Sequence, residues 1–171
     1  MKAGLIRLAA NGILAAIIGL SECDTVKAAT VETPEKAKPE SVLVLIKDGQ
    51  SDYGIYYHAS SPSCVKRAAT EMQRVIRIST GVTLPILAEP RNPMICLGDN
   101  AVSREAGFSS ERTPDEGFRI VTRDGNIYIV GQDWPDKRKK WADCESIGTL
   151  YGAYEFLERI DEAQHPAQVS G

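Results

Sequence analysis

The sequence is short of the residues from which most enzymatic sites are built. Among 171 residues there are two histidines, His58 and His165, and four cysteines, none of them in a Cys-x-x-Cys pair. That spacing is what small zinc sites use, so no metal site is expected, and no cofactor either. Gly-x-Ser-x-Gly is missing, and with it the strained turn that presents a nucleophilic serine in α/β hydrolases. There is no excess of positive charge: 20 basic residues stand against 23 acidic ones, for a net charge of −3 at pH 7. Without a cationic field nothing holds a phosphate backbone, and nucleic acid is not expected as a partner. Long apolar runs are missing too. The stretch from Gly12 to Leu20 falls short of the roughly 20 residues a helix needs to cross hydrocarbon, so a membrane-spanning helix is disfavoured. No internal repeat is visible.

What is present begins with an export leader. Residues 1–29 carry Lys2 and Arg7, then the apolar stretch to Leu20, then a short polar segment. The chain is therefore expected in the bacterial periplasm, the outer envelope or the medium. Two processing readings stand side by side. A small-residue site at Val26-Lys27-Ala28 or Lys27-Ala28-Ala29 would release a free protein. Alternatively Leu20-Ser21-Glu22-Cys23 resembles a lipobox, with Glu22 where a small residue is usual, and Cys23 would carry a lipid. Membrane contact is expected only through the leader or that lipid.

Thr30 to Glu40 is rich in Pro, Glu, Lys, Thr and Ala and reads as a flexible linker. With Cys23 in the leader, Cys64, Cys96 and Cys144 allow one disulfide at most, and Cys64 and Cys96 read as small buried apolar residues. A single folded unit of about residues 41–160 follows, with a polar tail over 161–171.

Within that unit, Val42 to Ile46 and Gly54 to His58 read as strands. A helix is predicted from about Pro62 to Thr80, with Ser61 as its cap, an apolar stripe through Val65, Ala68, Ala69, Met72, Val75 and Ile76, and Gly81 as its stop. Val82 to Leu87 is a short strand that Pro85 confines to an edge or bulge. Met94 to Leu97 is another, and a helical turn over Ala101 to Ala106 follows. Gly117 to Thr122 and Ile127 to Val130 flank Asp124-Gly125, a hairpin signal. Gln132 to Ser146 is a long polar loop. A final helix spans Gly148 to Ile160 with Leu150, Tyr151, Tyr154 and Leu157 on one face. Amphipathic helices need an apolar layer, so the fold class is α/β (α+β): a two-layer sandwich of a mixed sheet with two helices on one face.

Four stretches, taken in order, carry a family resemblance: Val44 to Tyr53, Ala68 through Ile86, Asp115 to Phe118, and Gly148 to Glu158. The chain resembles the N-terminal accessory α/β domain of bacterial α-glucuronidase and β-hexosaminidase-like secreted glycoside hydrolases, over about Ser41 to Ile160. The resemblance implies a non-catalytic domain of an α-glucuronidase-like enzyme of xylan-type polysaccharide breakdown. In that family a (β/α)8 barrel follows and carries the catalytic carboxylates, and it is the implied partner. It is not encoded here, where the chain continues as the short tail; a truncated gene, a fragment and a stand-alone domain would all look like this. The alternative from another class is an envelope module that binds polysaccharide.

No catalytic residue is assigned. Asp115 and Glu116 are neighbours whose side chains point to opposite faces of an extended segment, a poor acid–base couple for glycoside hydrolysis. Asp99 reads as a turn residue between Gly98 and Asn100. His58 with Ser60 and Ser61 suggests a hydrolase pair but lacks the supporting motif. Trp134 and Trp141, on either side of the basic run Lys137 to Lys140, are the candidate binding residues, because flat aromatic faces stack on sugar rings.

Overall fold

The computed structural model describes residues 6–10, 41–111, 113–134 and 146–164, with the backbone alone at 6–10, 41–42 and 161–164. The linker, Cys23, Trp141, Cys144, the basic run and the last residues of the tail lie outside the described residues. In chain order the elements are β1 (Ile6–Ala10), β2 (Ser41–Ile46), β3 (Gly54–Tyr56), α1 (Ser63–Thr80), β4 (Ile86–Leu87), β5 (Met94–Leu97), α2 (Ala101–Glu105), β6 (Phe118–Arg123), β7 (Asn126–Gly131) and α3 (Gly148–Gln164).

Five strands form one mixed sheet in the order β4-β3-β5-β7-β6. The first four run parallel, and β6 returns antiparallel to β7 through the tight Asp124-Gly125 turn. Side chains alternate along the strands and sort into two apolar layers. Ile55, Ile95, Leu97, Ile127 and Ile129 face α1 and α3 and form the larger core. Tyr56, Met94, Cys96, Tyr128 and Val130 point the other way, under Val102 and Ala106 around α2 and under Phe108. The two-layer architecture with both long helices on one face is thus realised, with short α2 added on the opposite face. β4 is the outermost strand on its side, which is where Pro85 confined it, and Pro85 contributes only its carbonyl, accepting from Ile55 N–H at 2.8 Å.

Helix α1 buries Val65, Ala68, Ala69, Met72 and Ile76 and stops at Gly81, whose left-handed φ of 79° lets its N–H reach the Arg77 carbonyl. Its start differs from expectation. Pro62 is the N-cap and no side chain caps the helix. Ser61 lies one residue too early to do so, because it closes the preceding turn by donating its N–H to His58 O at 2.8 Å.

Helix α3 corrects a second expectation. Its buried stripe is Leu150, Ala153, Phe156, Leu157 and Ile160, while Tyr151 and Tyr154 are 45% and 36% exposed. At about 3.6 residues per turn, Leu150, Ala153, Leu157 and Ile160 fall in line, and Tyr151 and Tyr154 sit to the side of that line. Gly152 lets the helix press onto the sheet: a Cβ there would lie 2.7 Å from Ile129 and 3.1 Å from Phe118.

Strand β2 stands outside the five-stranded sheet. It pairs antiparallel with β1, inside the segment read as the leader, while Leu45 and Ile46 enter the larger core.

Candidate functional site

A densely bonded polar region lies where β7, the entry to β6 and the start of α3 meet, with Trp134 beside it. The chain leaves β7 at Gly131 and passes so near α3 that a Cβ on Gly131 would fall 2.1 Å from Thr149 N. Gln132 bridges two segments, its N–H donating to Gly117 O and its carbonyl accepting from Gly148 N–H, both at 3.0 Å.

Asp133 then turns inward. Its carboxylate accepts from Thr149 N–H at 3.0 Å and from the Thr149 hydroxyl at 2.5 Å, and that hydroxyl accepts in turn from Gly131 N–H. Glu116, held at a left-handed φ of 60°, receives Ile147 N–H on its carboxylate at 3.1 Å. Its own N–H donates to the Ser146 hydroxyl at 3.0 Å. Two acids thus collect free backbone donors at the start of α3, where the helix end also favours negative charge. Burial nevertheless pushes the Asp133 carboxyl up to about 6; the bonds from Thr149 pull it down, and the charges of Glu116 and Asp99 push it up further.

Both Asp133 oxygens are engaged by Thr149 and Glu116 is turned to Ile147, so these carboxylates hold a helix in place and do not face one another across a cleft. Asp115 is exposed at the turn. Asp99 performs the turn role, accepting from Ser110 N–H at 2.9 Å, the Ser110 hydroxyl at 2.7 Å and Arg104 Nε at 2.6 Å. Burial works against its ionisation, but these bonds outweigh it and hold the carboxyl below its usual value. His58 Nδ1 lies 2.6 Å from the Ser60 hydroxyl within one exposed turn.

Trp134 is 53% exposed. With the Gln132 amide oriented to suit its neighbours, the side-chain oxygen accepts from Trp134 Nε1 at 2.6 Å and the nitrogen donates to Ser110 O at 2.9 Å. The indole is tied at its nitrogen edge while much of its surface meets solvent. Its partner in the sequence reading, Trp141, lies outside the described residues.

The cysteines divide. Cys96 is fully buried and free, and burial pushes its thiol up to about 11, so it behaves as the apolar filler expected. Cys64 does not: it is disulfide-bonded, to a residue outside the described ones, and its sulfur lies 3.9 Å from Asp133 Oδ1 and 4.0 Å from Ser146 O. Its buried position hid the difference, since burial alone does not tell a thiol from half a cystine.

Asp133, Thr149 and Gln132 were not singled out in the sequence. Asp133 lies sixteen residues before Thr149, far beyond the three-residue span in which a cap is legible.

No family model matches the chain, and no curated protein matches it. Solved structures with partial likeness include glycoside hydrolases. A family GH115 4-O-methyl-α-glucuronidase with specificity for decorated arabinogalactans is 21% identical, with a TM-score of 0.47, over 64% of this chain and 14% of its own. A GH138 enzyme targeting pectin rhamnogalacturonan II is 15% identical, with a TM-score of 0.41, over 64% of this chain and 13% of its own. The chain therefore spans a small part of the structures it matches.

Proposed function

We propose that residues 41–160 serve as the non-catalytic accessory domain of an α-glucuronidase-like glycoside hydrolase acting on xylan-type polysaccharide, with a (β/α)8 catalytic barrel as working partner. The observation that carries this reading is the fate of the four resembling stretches. They become, in order, β2 with its turn, the body of α1 through β4, the entry to β6, and α3; the first, second and fourth share one core, and Phe118 of the third lies against Gly152 of α3. The two acids nearest that meeting point anchor α3. Export with the leader removed, with or without a lipid on Cys23, belongs to the same proposal.

The test is enzymatic and physical. The purified chain is expected to release no product from an aryl α-glucuronide or from glucuronoxylan. Added to an α-glucuronidase barrel stripped of its own N-terminal domain, it is expected to raise that barrel's melting temperature. Hydrolysis by the chain alone, lost on substitution of one of its carboxylates, would sink the proposal.

Exposure of Trp134 favours a second reading, a module that binds polysaccharide on its own. In that case xylan-derived oligosaccharides bind the isolated chain, and Trp134→Ala weakens binding by roughly two- to tenfold, since aromatic contacts contribute on the order of 0.5–1.5 kcal/mol. An unchanged circular dichroism spectrum of the variant separates lost contact from lost fold, since Trp134 also bonds Gln132. Unchanged binding in that variant excludes the tryptophan as the contact.

A further inference from the structure

We propose that the disulfide at Cys64 is closed by Cys144, and that this bond fastens the base of the segment between Trp134 and Ser146 to the start of α1. The chain holds three other cysteines that could serve, Cys23, Cys96 and Cys144. Cys96 is ruled out. It is free, and it lies in the layer under α2, whereas Cys64 belongs to the larger core on the other face of the sheet.

Position decides between the remaining two. Cys64 Sγ lies 3.9 Å from Asp133 Oδ1 and 4.0 Å from Ser146 O, so it touches the chain both where that segment leaves and where it returns. The return is firmly held. The Ser146 hydroxyl accepts from Glu116 N–H and donates to Gln132 O, and Ile147 N–H donates to the Glu116 carboxylate.

Cys144 stands two positions before Ser146, and two residues of chain span at most about 7 Å. A disulfide joins Cα atoms about 4.4–6.8 Å apart, a range that Cys144 reaches without any movement of Ser146 or α1. Cys23 has no comparable anchor. The described residues nearest to it in sequence are Ala10 and Ser41, thirteen and eighteen positions away.

Bond formation removes two protons and two electrons from the two thiols. The electrons pass by exchange to the disulfide of an oxidant, which is released as a dithiol. Cys23 is left outside the cystine, which is the condition that a lipid on its sulfur requires.

Trypsin sets each cysteine in a peptide of its own, residues 8–27, 48–66, 92–104 and 141–159, so the pairing can be read directly. The full chain is folded in a glutathione redox buffer, alkylated without reduction, and digested from its monomer band on a non-reducing gel. Mass spectrometry is expected to find 48–66 joined to 141–159, the pair separating on reduction. Cys144→Ser is expected to leave Cys64 open to alkylation once unfolded, and Cys23→Ser is expected to leave it blocked. The proposal is overturned if 48–66 is joined to 8–27, if Cys64 and Cys144 are both alkylated in a chain that circular dichroism shows to be folded, or if Cys64 stays blocked in Cys144→Ser. Neither reading of function enters the measurement, which needs no barrel and no polysaccharide.

Discussion

Asp133 is a carboxylate placed where folding must tolerate a buried charge. Its folded-state pKa of about 6 exceeds the ordinary carboxylate value of 3.8, so between those values the folded chain binds more protons than the unfolded one. Stability attributable to this group therefore rises as pH falls from 7 toward 4, the cost of the buried charge being present above about 6 and relieved below it. Chemical denaturation at pH 7 and pH 5 checks this. Asp133→Asn, which keeps an acceptor for Thr149 N–H, is expected to narrow the gain seen in the parent on moving to pH 5. Asp99 has the opposite sign: its lowered pKa contributes stability that is lost only as pH falls below the ordinary carboxylate range. A steric test belongs at Gly131. A methyl group there would meet backbone atoms of Gly148 and Thr149 at 2.1 to 2.7 Å, so Gly131→Ala is expected to cost about 3 kcal/mol in equilibrium unfolding.

At the scale of the element, α3 separates its residues by the stripe they occupy. Leu157→Ala is expected to lose about 2–5 kcal/mol by opening a cavity in the larger core, whereas Tyr151→Ser is expected to change stability by about 0.5 kcal/mol or less, both read by thermal melting. Tyr151 and Tyr154 instead border an open groove of about 920 Å³ with Phe118, Val75 and Ile76. Periodicity made both long helices legible, because their apolar stripes recur at a spacing that local sequence carries. The hairpin was legible for the same reason, its turn chemistry being contained in Asp124-Gly125. What could not be read was set by partners distant in sequence. The tyrosines were assigned to the buried face because spacing alone leaves a stripe's width undefined until Gly152 fixes which line meets the sheet. The anchor of α3 joins Asp133 and Glu116 to residues 147 and 149, and β1 falls where composition speaks for a leader. Among candidate binding residues, Trp134 was named from its type and its loop, while the Gln132 contact that orients it appears only in the fold.

For the molecule as a whole, the larger core is shared by α1, α3 and the sheet, so neither helix has a layer of its own on which to survive alone. Urea unfolding is expected to be a single transition, with far-ultraviolet circular dichroism and tryptophan fluorescence giving coincident curves. A fluorescence transition at lower urea would show the segment around Trp134 to be a separate unit. Cys64, at the start of α1, is disulfide-bonded, so a reductant is expected to lower the midpoint by a measurable amount.

The parallel ladder has a consequence for how the chain comes to be folded at all. The β6–β7 hairpin joins neighbours in sequence, and α1 closes its turns locally, so both assemble early. The pairing of β3 with β5 must wait for a long intervening stretch, helix included, to be drawn closed, and β7 has to find the far side of β5. A newly made chain therefore dwells as a set of local pieces whose central strands have not yet met.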